Sequence, residues 1–244
     1  MTKFVDTKVR LSSGFELIVD GNSKISGWDP RPNAFSLPAP ATCPGSTVAC
    51  RSTCYASSDG SKLPEQLRDR YDANLETLKA IFLEPNAGYD QAVQFGRWIA
   101  EHCQDTGFRW HVSGDVFSDQ HAWWIVVAVL VSPEVQHWIY TRTLRVVPIL
   151  SQASPGLALS VSADRDNFRQ AAAVAREYHA RLTYLWSGEE IPELPSKTVI
   201  FPDYSARAQQ PPPRDPRLCK ADLYGHAETR RCGVCTRCGN PRHR

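Results

Sequence analysis

The chain has 244 residues, 42% hydrophobic and 22% charged, with a formal net charge of +2. That length supports one large domain or two small ones around a buried core, and the composition is that of an ordinary globular protein. No apolar run reaches the roughly 18 residues that a membrane-spanning helix needs. The opening "MTKFVDTKVR" has no apolar leader, so a cytoplasmic, reducing setting is the expectation.

In chain order, "FELIVDGNSK" reads as a strand followed by a turn at Asp20-Gly21-Asn22. "DPRPNAFSLPAPA" holds four prolines in thirteen residues and is expected as an ordered loop, since proline is excluded from helix interiors. "KLPEQLRDRYDANLETLKAIFLE" (62–84) places Leu63, Leu67, Tyr71, Leu75, Leu78 and Phe82 at helical spacing, and a second helix follows over 89–104. Strands are expected in 107–116, 135–143, 156–164, 181–188 and 197–205. Helices are expected at "DQHAWWIVVAVLVSP" and over 165–180, with a short helix or loop at "LRVVPILSQA". This β-α alternation with short connections predicts an α/β fold with a parallel sheet covered by helices. Both a doubly wound sheet and a partial barrel fit it, and in both the reactive groups gather at the carboxyl ends of the strands. Those ends carry "SGD" (113–115), "TRT" (141–143), "SVSAD" (160–164) and "WSG" (186–188).

"QQPPPRDP" is a stiff proline linker. It divides a body (1–208) from a cysteine-rich tail (209–244). From Arg214 to Arg244 there are eight Lys/Arg against three Asp/Glu, a local +5 on a body of about −3. Such a tail reads as a solvated cationic segment or as a nucleic-acid contact.

Of the eight cysteines, Cys43, Cys50 and Cys54 are spaced C-x6-C-x3-C, and Cys219, Cys232, Cys235 and Cys238 are spaced C-x12-C-x2-C-x2-C. In a reducing setting such clusters bind metal or do redox chemistry more often than they pair as disulfides. Four tail thiolates satisfy a 4Fe–4S cluster or tetrahedral zinc, and the C-x2-C-x2-C run leans toward iron–sulfur. Three thiolates in the early loop leave one coordination position open, which marks a reactive centre rather than a closed structural one. Cys103 or His102 is a candidate fourth ligand; the alternative for Cys103 is a small buried side chain. His111 lies on either face of its strand, Lys24 is a candidate anion contact, and Trp123 and Trp124 are expected in packing. No Walker-type phosphate loop or G-x-S-x-G elbow is present.

The segments "GNSK", "FSLPAPATCPGS", "CRSTCYA", "RWHVSGDVFS", "WIYTRT" and "CGVCTRC" occur in this order. In them the chain resembles the phage gene product 88 family over about residues 20 to 238. More loosely, the layout is similar to radical S-adenosylmethionine enzymes. Those have an early three-cysteine loop, usually C-x3-C-x2-C, at the mouth of a partial (β/α)6 barrel with its helices outside. That resemblance implies a 4Fe–4S cluster at Cys43, Cys50 and Cys54, with S-adenosylmethionine on its open iron. It further implies cofactor contacts from Tyr55, from Ser113, Gly114 and Asp115, and from Arg142, Ser160 and Ser162. An auxiliary cluster in the tail, a reductant protein and an unidentified small-molecule or macromolecular substrate complete it. Two other readings stay open: an iron–sulfur protein without S-adenosylmethionine chemistry, serving electron transfer, and a metal-stabilised phage protein that binds nucleic acid. No membrane partner is expected.

Overall fold

A computed structural model describes residues 6–21, 31–54, 56, 63–84, 86–203 and 215–219. Eight strands form one sheet in chain order: β1 (Asp6–Arg10), β2 (Glu16–Gly21), β3 (Pro32–Phe35), β4 (Phe108–Trp110), β5 (His137–Thr141), β6 (Leu157–Ala163), β7 (Arg181–Trp186) and β8 (Val199–Pro202). The pairs β1–β2 and β2–β3 are antiparallel, and every pair from β3 to β8 is parallel. The strand order never reverses, so the sheet has no switch point of the doubly wound kind.

The helices are α1 (Val48–Thr53), α2 (Glu65–Leu83), α3 (Ala87–His102), α4 (Asp119–Val131), α5 (Val147–Leu150) and α6 (Phe168–Glu177). The α2 positions read from spacing as apolar do bury: Leu67, Tyr71, Leu75 and Leu78 are all inside. α4 is apolar nearly all round. Trp124 enters the core, ring to ring with Phe95 at 5.1 Å, while Trp123 remains 46% exposed. Along the sheet, one aligned row (Phe35, Trp110, Ile139 and Leu159, then Val161 and Leu182) faces the helices and forms the main core. The opposite face carries Trp138 and Ala158, which make a separate small cluster. Helices therefore cover one face of the sheet, because side chains alternate between faces along each strand.

One expectation is corrected. Residues 32–35, expected as loop, form β3 between β2 and β4. Pro32 stands at the strand's first residue, where its missing N–H is tolerated. Part of the tail also joins the body: Leu218 bridges Ile200 in parallel, and the Cys219 N–H donates to the Ile200 carbonyl at 2.8 Å. The rest of the tail, with Cys232, Cys235 and Cys238, lies outside the described residues, as do Lys24 and Tyr55.

Candidate metal centre

The cysteine loop leaves the carboxyl end of β3, the first parallel strand. It is partly helical: Thr47 caps α1, its hydroxyl accepting from the Cys50 N–H at 3.0 Å, and Cys54 is the residue on which α1 ends. Such a cap satisfies an amide that the first turn of a helix leaves without a partner. Cys43, Cys50 and Cys54 are all partly exposed.

Turns at the ends of the next three strands grip this loop. After β4, the Ser113 carbonyl accepts from the Leu37 N–H at 3.0 Å, and the Asp115 N–H donates to the Thr42 hydroxyl at 3.3 Å. Gly114 has φ 78°, and a Cβ there would stand 2.5 Å from Thr42 Oγ1, so both backbone angle and space require glycine. After β5, the main chain of Arg142 lies so close to Gly45 that a Cβ would overlap the Arg142 carbonyl. After β6, the buried Asp164 accepts the Thr47 hydroxyl and the Arg142 guanidinium on the same oxygen, each at 2.5 Å.

Asp115 is buried and fully used. Its Oδ1 accepts from the Val116 N–H at 2.7 Å, and its Oδ2 accepts from the Arg142 N–H at 2.8 Å and the Thr143 hydroxyl at 3.2 Å. Burial still pushes its carboxyl above the usual range, against the pull of these donors. Burial, then the Asp115 charge and the neighbouring thiols Cys50 and Cys54, push the Cys43 thiol up to about 12. Burial likewise raises Cys50, and the Arg142 charge opposes it. Cys54 and Asp115 thus act on both Cys43 and Cys50. Among the described residues, however, no three His, Cys, Asp or Glu side chains stand together as a metal-binding group.

The family model of gene product 88 matches residues 10–241. The chain belongs to the gene product 88 family. It is similar to the Gene 88 protein of Mycobacterium phage L5, 32% identical over 147 residues; the match covers 55% of this chain and 58% of that relative. No solved structure matches. Among the described residues of this gene product 88 family member, no helix is long and apolar enough to cross a membrane.

The remaining expected residues divide. Ser160 and Ser162 sit on β6, on the sheet face turned from the helices; Ser162 Oγ accepts from the Thr183 hydroxyl at 3.3 Å. Ser113 and Ser160 are buried, and their hydroxyls have no hydrogen-bond partner among the described residues. Cys103 and His102 do not join the site. The Cys103 thiol donates to the Pro32 carbonyl at 3.3 Å, at the start of β3, whereas the cysteine loop leaves that strand's other end. It is wholly buried, and burial alone pushes its thiol up to about 12. His102 stacks on Trp98, with ring centroids 4.6 Å apart. His111 follows β4 with φ 56°, which turns its ring toward His121 of α4, 5.1 Å away between centroids. His137 pairs with the Ser132 hydroxyl at 2.9 Å.

Sequence reasoning missed Thr42, Gly45, Thr47 and Asp166, and placed Thr143 and Asp164 at strand ends without seeing that they hold the loop. One local signal exists: Thr47 stands three residues before Cys50, the spacing of a helix cap.

Proposed function

We propose that this chain is an iron–sulfur protein in which Cys43, Cys50 and Cys54 hold a 4Fe–4S cluster. The observation that carries the reading is the placement of three thiols on one loop at the carboxyl ends of parallel strands, gripped by the turns after β4, β5 and β6. Three cysteine donors suit such a cluster by kind, and they leave one iron for another ligand. The thiols must draw together to bind it. Six parallel strands in chain order with helices on one face support a partial (β/α)6 barrel, whose reactive groups gather at that end. An auxiliary 4Fe–4S or zinc centre at Cys219, Cys232, Cys235 and Cys238 belongs to the same proposal on the tail's spacing.

When bound, a cluster of this kind supplies one electron to S-adenosylmethionine and so opens radical chemistry on a substrate. The chain's own residues do the rest. Burial raises the Cys43 and Cys50 thiols, so a metal bound there would have to displace their protons. Arg142 sets a positive charge beside Cys50 that favours its thiolate. The hydroxyls of Ser113 and Ser160 are groups left to orient a ligand.

A second reading, a cluster serving electron transfer without S-adenosylmethionine, is favoured by one observation. Asp115 and Arg142, the residues that would meet S-adenosylmethionine, are already paired, Asp115 with Val116, Arg142 and Thr143, and Arg142 with Asp164.

Anaerobic purification with iron and sulfide counting and electron paramagnetic resonance tests both. The expected result is a cluster signal and an iron and sulfide count that fall by one cluster when Cys43, Cys50 and Cys54 become alanine, with any signal that remains assigned to the tail. A signal shifted by S-adenosylmethionine, with 5′-deoxyadenosine formed on reduction, selects the first reading; an unshifted signal and no such product select the second. A folded chain that takes up no iron and sulfide overturns the proposal.

A further inference from the structure

We infer that Asp164 is the positioning residue of the cysteine site and acts on Cys50 through Thr47. This rests on the reading that the three cysteines hold a metal centre. Thr47 Oγ1 accepts from the Cys50 N–H at 3.0 Å, and the same hydroxyl donates to Asp164 Oδ2 at 2.5 Å. Its one proton and its acceptor are thus both committed, and the line runs without a gap from the carboxylate to the cysteine's own amide. One residue before Cys50, the Ala49 N–H donates to Asp166 Oδ2 at 2.9 Å. Two carboxylates of the turn between β6 and α6 therefore hold the first turn of α1.

Asp164 is itself fixed. Its side chain is wholly buried, its Oδ1 accepts from the Asp166 N–H at 2.9 Å, and its own N–H donates to Asn167 Oδ1 at 2.8 Å. The Arg142 guanidinium shares Oδ2 with Thr47, so the turns after β5 and β6 close on one atom. Among the described residues, the amides of the other two cysteines have no such tie. The Cys43 N–H donates to Pro40 and the Cys54 N–H to Arg51, each within its own turn. The Cys50 backbone is tied, through Thr47, to a turn 117 residues away from that threonine. A rigid strand end sets its place, as the surrounding residues of a metal site orient its direct ligands.

Asparagine cannot replace this carboxylate. Donors approach both oxygens of Asp164, so an amide would turn its NH2 toward one of them.

The test uses the full-length chain with Cys232, Cys235 and Cys238 changed to serine, so that the early loop alone offers a cysteine cluster. Co2+ is titrated anaerobically, and the thiolate-to-cobalt charge-transfer absorption reports how many thiolates bind. Asp164→Asn and Thr47→Val are expected to weaken Co2+ binding by about tenfold or more, the usual scale for partners that orient ligands. Thr47→Ser, which keeps the hydroxyl, is expected to restore it. The double variant should be no weaker than the weaker single one, since both changes break one connection. If Thr47→Val binds as Thr47→Ser does, with circular dichroism and thiol count unchanged, the positioning role is overturned. A folded parent with free thiols and no charge-transfer band overturns this positioning role, while the 4Fe–4S reading beneath it is decided separately by the iron and sulfide count.

Discussion

Gly45, within the cysteine loop, rests directly against the main chain of Arg142 at the end of β5. A Cβ there would overlap the Arg142 carbonyl and stand 2.7 Å from the Thr143 N–H nitrogen. Both obstacles are backbone, which cannot rotate aside as a flexible side chain can. Gly45→Ala is therefore expected to destabilise the chain by about 1–3 kcal/mol, the range for overpacked sites. By contrast, Gly88→Ala on α3 meets only ordinary contacts, Phe82 at 3.7 Å and Gln120 at 3.9 Å. There the better helix former should add about 0.5 kcal/mol. Urea denaturation of the two variants checks the opposite signs.

Asp115 tests whether the turn after β4 is structural. Asp115→Ala strands the Val116 and Arg142 amides and the Thr143 hydroxyl, all of which donate to this carboxylate. Buried donors left without acceptors cost about 1–3 kcal/mol each, so a loss of at least about 3 kcal/mol is expected in thermal or urea unfolding. A loss near zero would mean that these amides find other acceptors.

Stability should fall on mild acidification. Burial lowers His111 to about 3, His137 to about 4 and His121 well below its ordinary value. In the unfolded chain each titrates near about 6.5. Below that pH the unfolded state binds protons that the folded state refuses, so stability present above about pH 6.5 is lost as pH drops. Each histidine contributes a slope approaching about 1.4 kcal/mol per pH unit. Asp115, whose carboxyl is raised, works in the opposite sense. Urea midpoints between pH 7.5 and about 5 should decline, and His137→Gln should flatten the decline.

Cys103 and Cys50 should separate packing from ligation. Cys103→Ala removes a buried thiol at the start of β3 and should cost about 1 kcal/mol with iron content unchanged. Cys50→Ala should leave folding intact and lower the iron bound per chain. Equal iron loss from both substitutions would contradict the separation of the two ends of β3.

The aromatic pair on α4 gives a packing control. Trp124→Ala opens the core against Phe95 and Trp110 and should cost about 3–5 kcal/mol. Trp123→Lys, on the exposed side, should stay within about 0.5 kcal/mol. Thermal melts distinguish the two neighbours.

The sequence by itself determined the elements whose signal is local. Leu67, Tyr71, Leu75 and Leu78 repeat at the helix period, so α2 was legible. The β-α alternation announced parallel pairing, and the gene product 88 motifs announced the family. The strand β3 was not legible, because four residues beginning at Pro32 carry too short a pattern, and neighbouring strands rather than propensity make them a strand. Nor could spacing tell Trp123 from Trp124, since α4 is apolar nearly all round and packing alone decides which side is covered. Cys103 and Cys54 look alike as letters; the fold sends one to the start of β3 and the other to the loop at its end. The grip of Asp164 on Thr47 joins residues 117 apart. Hydrogen bonds of that reach form only after strands and crossovers have brought the turns together, so tertiary structure alone decided what holds the cysteines.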